Sequence, residues 1–283
     1  MSPNSANEEA VGDRFYRIAY DGTAYHGFQR QPDVPTVAGA IRTALTALDV
    51  STERWAAAGR TDAGVSAIGQ TVRIRGPEWL TPRALNSRLP DDIWCWAWAT
   101  VDSDQHPRYD ARERTYWYVC DAPAIDLDRV HEVCDRLVGT HDLQNLSAAS
   151  EHTKRTISEI DVIQDGAILE VSITAPNFIH EQVRRIVTLL TEVGTGKLSV
   201  EFVDRLLDPT FDPGGAAGIG PASPAPLVLL NVVYPEVSFT VDSVARTQAT
   251  QWFADRSTEL YLSHRTNERI SSSLTAASTD QHR

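Results

Sequence analysis

Arg60 and Asp62 stand two residues apart in the run Gly59-Arg60-Thr61-Asp62-Ala63-Gly64. The flanking glycines free the backbone for a tight loop, which puts opposite charges side by side outside any regular element. A carboxylate held there can act as a nucleophile, and the guanidinium can grip an anion. The plain alternative is a surface turn whose aspartate caps its own backbone. A second group of candidates lies on Ile179–Val193, where Arg184 and Arg185 both flank an apolar stripe, so helical phase does not choose between them. An aromatic strand, Thr115–Cys120, carries Tyr116, Trp117 and Tyr118 on alternating faces.

Other motifs fail on spacing. Gly194-Thr195-Gly196-Lys197-Leu198 has Thr191 where a phosphate-binding loop requires its first glycine, and Leu198 where it requires Ser or Thr. His180-Glu181 has Arg184 in place of the second histidine of a zinc helix. His141, Asp142 and His152 have no metal-ligand partners at recognisable intervals. The glycine run at 214–220 precedes a proline-rich turn and is expected to be loop. These failures imply no metal and no cofactor.

The chain has 283 residues, 42% hydrophobic and 23% charged, which is a globular composition. It has no run of 18 apolar residues and a polar, acidic N-terminus, so neither a membrane span nor a secretory signal is expected. Three cysteines (Cys95, Cys120 and Cys134) without a CxxC spacing point away from a disulfide framework and towards the cytoplasm. The net charge of −12 argues by itself against a polyanionic partner. Yet only two of the 26 basic residues are lysines, Lys154 and Lys197. An acidic, lysine-poor chain suits a salt-rich cell interior, where long-range fields are screened and local charge decides what binds. Locally, residues 54–75 carry a net +3 and residues 199–240 a net −4.

Stepping from these side chains to what must carry them, Phe15–Tyr20 alternates as a strand with Tyr16, Ile18 and Tyr20 on one face. Thr36 caps a helix running to Leu48. Thr71–Arg75 is a strand with Val72 and Ile74 inward and Thr71, Arg73 and Arg75 outward as a basic row. Further helices are expected near Pro82–Arg88, Leu127–Val138, Ile179–Val193, Val200–Leu207 and Ala249–Leu260. Further strands are expected at Ile93–Val101, Thr156–Ile163, Ile168–Thr174 and Leu227–Val233. The pattern predicts an α+β or α/β chain of two similar sheet-and-helix domains, at 14–108 and 109–236. A disordered leader, 1–13, precedes them. An extension, 237–283, follows, partly helical and then disordered from 265.

Residues 56–74, AAAGRTDAGVSAIGQTVRI, resemble the active-site signature GRTDAGVHAxGQV of the tRNA pseudouridine synthase A (TruA-type) family, with Ser66 where the family has His. Six further segments match in order. YDGTAYHGFQRQ (20–31) resembles YDGTxYxGWQxQ with Phe28 for Trp. Leu85-Asn86 with Leu89-Pro90 and Asp92-Ile93 resembles LNxxLPxDI. HPRYDARERTYWY (106–118) resembles FxARxxAxxRxYxY, with His106 for Phe. Gly139 to Leu143 resembles GxHDF, NFIHEQVRRI (177–186) resembles SFLxxMVRRI, and Ala225-Pro226-Leu227 resembles an Ala-Pro stretch. The resemblance spans residues 15–234.

That resemblance implies the pseudouridine synthase fold, a mixed and largely antiparallel sheet around a basic cleft. It implies isomerisation of uridine to pseudouridine at positions 38 to 40 of the tRNA anticodon stem-loop, by a cytoplasmic homodimer. It makes Asp62 the nucleophile, kept ionised by Arg184, with Arg185 left to solvent or phosphate. Tyr116 is then expected to stack on the uracil and is a candidate to take the C5 proton, while Trp117 and Tyr118 are strand residues. Arg60 would help evert the base. Arg54, Arg73, Arg75, Arg108, Arg112, Arg114 and Gln29 are expected on the tRNA.

Overall fold

The computed structural model describes residues 11–149, 151–211 and 219–280, with only the backbone of 276–280. Most of the expected leader and of the glycine run therefore lies outside the described residues. Residues 11–13 belong instead to the first strand, β1 (Val11–Tyr20).

Tyr16, Ile18 and Tyr20 of β1 are fully buried, and so is Phe15 on the opposite face. Both faces are covered because α1 (Val37–Thr46) lies on one, while Arg17 on the other sits 4.3 Å over the Phe239 ring and donates to the carbonyls of Gly69 and Val232. Thr36 caps α1 as expected, its hydroxyl accepting from the Gly39 amide at 3.2 Å. After the short β2 (Ala56–Ala57) comes β3 (Ser66–Pro77), longer than its alternation suggested. Thr71 is not outward but buried, since its hydroxyl accepts from Arg17 beneath β1. α2 (Pro82–Asn86) and β4 (Ile93–Thr100) complete this side of the molecule.

The second side begins with β5 (Glu113–Asp121) and α3 (Leu127–Leu137). The single strand expected over Thr156–Ile163 is two. β7 (Lys154–Ile157) pairs with β6 (Gly139–Asp142) in a separate ribbon, and β8 (Glu159–Asp165) pairs with β9 (Ile168–Ala175). Alternating polarity runs through both pieces and hides the change of partner at Ser158. α4 (Gln182–Gly194) starts three residues later than its apolar pattern, because Glu181 is left-handed at φ 62° and breaks the helix there. α5 (Glu201–Leu207), β10 (Leu227–Val233) and β11 (Thr240–Val241) follow.

Last comes α6 (Ser243–Asp280), which stays helical through residues expected to be disordered. Beyond Arg256 its described side chains are all exposed, so the helix there rests on local ties such as Arg265–Glu268. Among the described residues no helix is long and apolar enough to cross a membrane.

Nine strands form one sheet in the order β11-β4-β1-β3-β10-β5-β9-β8, with β2 beside β3. Every pairing is antiparallel except β3 with β10. Two apolar clusters fill the helix-covered regions, one including Leu45 of α1 and Tyr20, the other Leu190 of α4 and Val171. Tyr116 packs against both and marks their meeting.

Candidate active site

The one parallel pairing sets the geometry. Parallel strands start at the same edge, so the segments leading into β3 and β10 lie side by side. Ser66 is opposite Val228 and Ala67 opposite Leu229. The segment before β3 is the Asp62 loop, and the segment before β10 carries Ala222 and Pro224. Pro224 approaches closely enough that a Cβ on Gly64 would meet its ring at 3.2 Å, and Gly64 itself needs φ +81°.

The loop is tied at almost every residue. Gln70 donates to the Gly59 carbonyl at 3.2 Å, and the Tyr20 and Thr61 hydroxyls lie 2.8 Å apart. The amide of Phe28 donates to Thr61, that of Gly64 to Tyr25 and that of Val65 back to Asp62. Ser66, the departure from the family signature, accepts from the Gly22 amide at 3.0 Å. Gly22 lies so close that a Cβ there would sit 2.0 Å from the Val65 carbonyl oxygen. Thus the YDG segment and the GRTDAG segment, distant in the chain, brace each other.

The Asp62 side chain is about a quarter exposed. Its Oδ2 is 3.1 Å from Nη1 of Arg184, and its Oδ1 is 3.4 Å from Nε2 of His180. Arg184 is itself fixed by donating through Nε to the Ala222 carbonyl at 2.6 Å. Arg185 turns away. It pairs with Glu181 at 2.6 Å and donates to the Ile219 carbonyl, so it is neither solvated nor free for a phosphate. The structure thereby separates two arginines that periodicity leaves equivalent.

Tyr116 projects beside the pair from β5, its ring edge-to-face with Phe178 at 5.1 Å. Burial first, then the nearby charge of Asp62, pushes its phenol up to about 12, against an opposing effect of Arg114. The phenol is therefore neutral at ordinary pH. Tyr118 is buried, and Trp117 donates to Glu170 on the sheet, as expected of strand residues.

The basic residues divide sharply. Arg60, Arg54, Arg75, Arg108, Arg112 and Gln29 are exposed. Arg54 donates to the Ser103 carbonyl, Arg75 lies 3.9 Å from Asp13, Arg112 lies 3.7 Å from Glu113, and Arg108 sits over Tyr109 at 5.9 Å. Arg73 is largely covered, donating to the Gln105 carbonyl at 2.7 Å and facing Asp13 at 4.0 Å. Arg114 does not fit the role expected of it. It is buried, and its guanidinium donates to the carbonyls of Ala58, Arg108, Ala111 and Pro176, which leaves no free fork for a phosphate. Its work is to tie β5 to the residue just before the Asp62 loop.

Sequence reasoning missed His180, Phe178 and Arg155. His180 was weighed only as half of a zinc motif, although it stands four residues before Arg184. Arg155 lies close enough to Arg108 that, after burial, this neighbour lowers its pKa. Among the described residues no group of three or more His, Cys, Asp or Glu could hold a metal ion.

A family model described as tRNA pseudouridine synthase matches residues 133–235. The chain is 48% identical over 259 residues to the tRNA pseudouridine synthase A of Haloarcula marismortui, covering 86% of this chain and 93% of that protein. It is 45% identical over 251 residues to that of Natronomonas pharaonis, with the same coverages. Against the Pyrococcus abyssi protein of the same name it is 36% identical over 233 residues, covering 81% and 88%.

Proposed function

Because the chain belongs to the tRNA pseudouridine synthase A family, we propose that it isomerises uridine to pseudouridine in the anticodon stem-loop of tRNA, at positions 38 to 40, with Asp62 as nucleophile. The observation that carries this reading is the partly exposed Asp62 carboxylate, 3.1 Å from Arg184 and in the company of Tyr116.

The reaction breaks the bond from N1 of uracil to the ribose C1′ and makes one from C5 to C1′. A proton leaves C5 and another is gained at N1, so no oxidant, reductant or net water is consumed. Nucleophilic attack needs the carboxylate ionised while a base covers it. The Arg184 guanidinium lies 3.1 Å from the carboxylate and, being anchored on Ala222, needs no rearrangement to stay there during reaction. Tyr116 offers a ring face for the uracil. A phenol pushed up to about 12 is not a standing base at neutral pH, so we assign it the stacking role and not removal of the C5 proton.

Arg60, exposed beside the nucleophile, suits the space an everted base leaves. Arg54, Arg75, Arg108 and Arg112 suit contact with the phosphate backbone. An acidic chain with small basic patches gains a longer basic track as a homodimer, which we take as the working assembly in the cytoplasm.

The test is release of tritium from C5-labelled uridine in a transcribed tRNA. Asp62→Ala should lower the rate by at least about a thousandfold while tRNA affinity stays within about threefold. Product formation by that variant would overturn the assignment of the nucleophile.

A further inference from the structure

The two oxygens of Asp62 face different side chains. Oδ2 belongs to Arg184, while Oδ1 faces Nε2 of His180 at 3.4 Å. We infer that His180 is a positioning residue that holds the second oxygen of Asp62 and sets the plane of the carboxylate for attack. The inference rests on the reading of Asp62 as nucleophile.

Three features set the histidine in place. Its carbonyl accepts from the Ala148 amide at 3.2 Å and from the Ser147 hydroxyl at 3.3 Å, so its backbone is pinned to the segment after β6. The next residue, Glu181, has φ 62°, a left-handed conformation that costs a non-glycine residue free energy and is kept where the surroundings demand it. That break ends α4 just short of His180 and so leaves its side chain off the helix, beside Asp62. Glu181 meanwhile is occupied by Arg185 at 2.6 Å and does not compete for the imidazole. The His180 side chain is 61% exposed, so it is no packing residue, and the carboxylate its ring approaches among the described residues is that of Asp62.

One contact on a carboxylate leaves its plane free to turn, whereas two contacts on opposite oxygens fix it. Attack depends on that orientation. At 3.4 Å the imidazole is in electrostatic reach of the carboxylate without a formed hydrogen bond, and catalytic contacts of this kind commonly tighten once substrate fills the site.

The test uses the full chain with C5-tritiated tRNA in single-turnover mode, beside a filter-binding measurement of tRNA affinity. His180→Ala should lower the rate constant roughly tenfold to a hundredfold, with affinity within about twofold of the parent. His180→Gln, whose amide N–H reaches about as far as Nε2, should recover most of the loss. A His180→Ala enzyme as fast as the parent, one that loses affinity in step with rate, or a His180→Gln enzyme no better than His180→Ala would overturn the inference. A parent chain inert on every tRNA, or an active Asp62→Ala, would instead sink the underlying reading, and this inference with it.

Discussion

The loop around Asp62 and the outer part of α6 are held in opposite ways. The loop has no regular structure, yet Gly22, Tyr25, Phe28, Gln70, Arg114 and Arg184, spread over the chain, all press on it. Beyond Arg256, which still reaches Asp21 at 3.5 Å, α6 is regular throughout, yet its ties join residues three or four apart, as in Arg265–Glu268 and Thr258 to the Ala254 carbonyl. Regularity and rigidity are therefore separate properties here. Long-range ties fix where a side chain sits in the fold, whereas local ties fix only the shape of the segment that contains them.

The largest effect should come from cutting the anchor beneath the loop. Arg114→Ala leaves four carbonyls short of a donor in a buried place and should cost about 3–5 kcal/mol, read from urea unfolding. Arg60→Ala, at an exposed neighbour, should move stability by less than about 0.5 kcal/mol while lowering the tritium-release rate. Equal stability losses for the two would erase the distinction drawn between them.

A smaller effect is expected at the brace between the two segments. A Gly22→Ala methyl would have to displace the Val65 carbonyl, and should cost about 2–3 kcal/mol by the same unfolding measurement. An unchanged midpoint would mean that the segments are not pressed together.

The smallest effect belongs to α6. A chain ending at Arg256 should melt within about 2 °C of the full one, because exposed i,i+3 pairs contribute little. A drop of more than about 5 °C would show that the outer helix has a partner surface, and the comparison would have to be redrawn.

Legibility from sequence followed the same division. Where a segment's shape depends on its own residues, pattern was enough. Thr36 caps α1, Leu227–Val233 is β10 and Leu127–Leu137 is α3, nearly as their spacing demands. Where it depends on distant partners, pattern failed. Nothing in RERTYWY says that Arg114 is interior, since the carbonyls that receive it belong to residues 58, 108, 111 and 176. The strand over Thr156–Ile163 reads as continuous because alternation persists while the partner changes from β6 to β9. Helical phase leaves Arg184 and Arg185 equivalent, because what separates them is that the distant carbonyls of Ala222 and Ile219 claim one each. For the candidate site the family signature pointed at Asp62, Tyr116 and Arg184, but His180 falls at an unspecified position of the NFIHEQVRRI segment, so the motif did not single it out.

The parallel seam between β3 and β10 has a consequence for how the protein comes into being. Arg184 follows Asp62 by 122 positions, and the strand that closes the seam is made later still. On the ribosome, then, the Asp62 loop emerges long before the Arg184 guanidinium, its Ala222 support or the neighbouring strand β10. A nascent chain can pair β1, β3 and β4 and still lack the contact of Asp62 with Arg184, so this cluster assembles only after most of the polypeptide has been made.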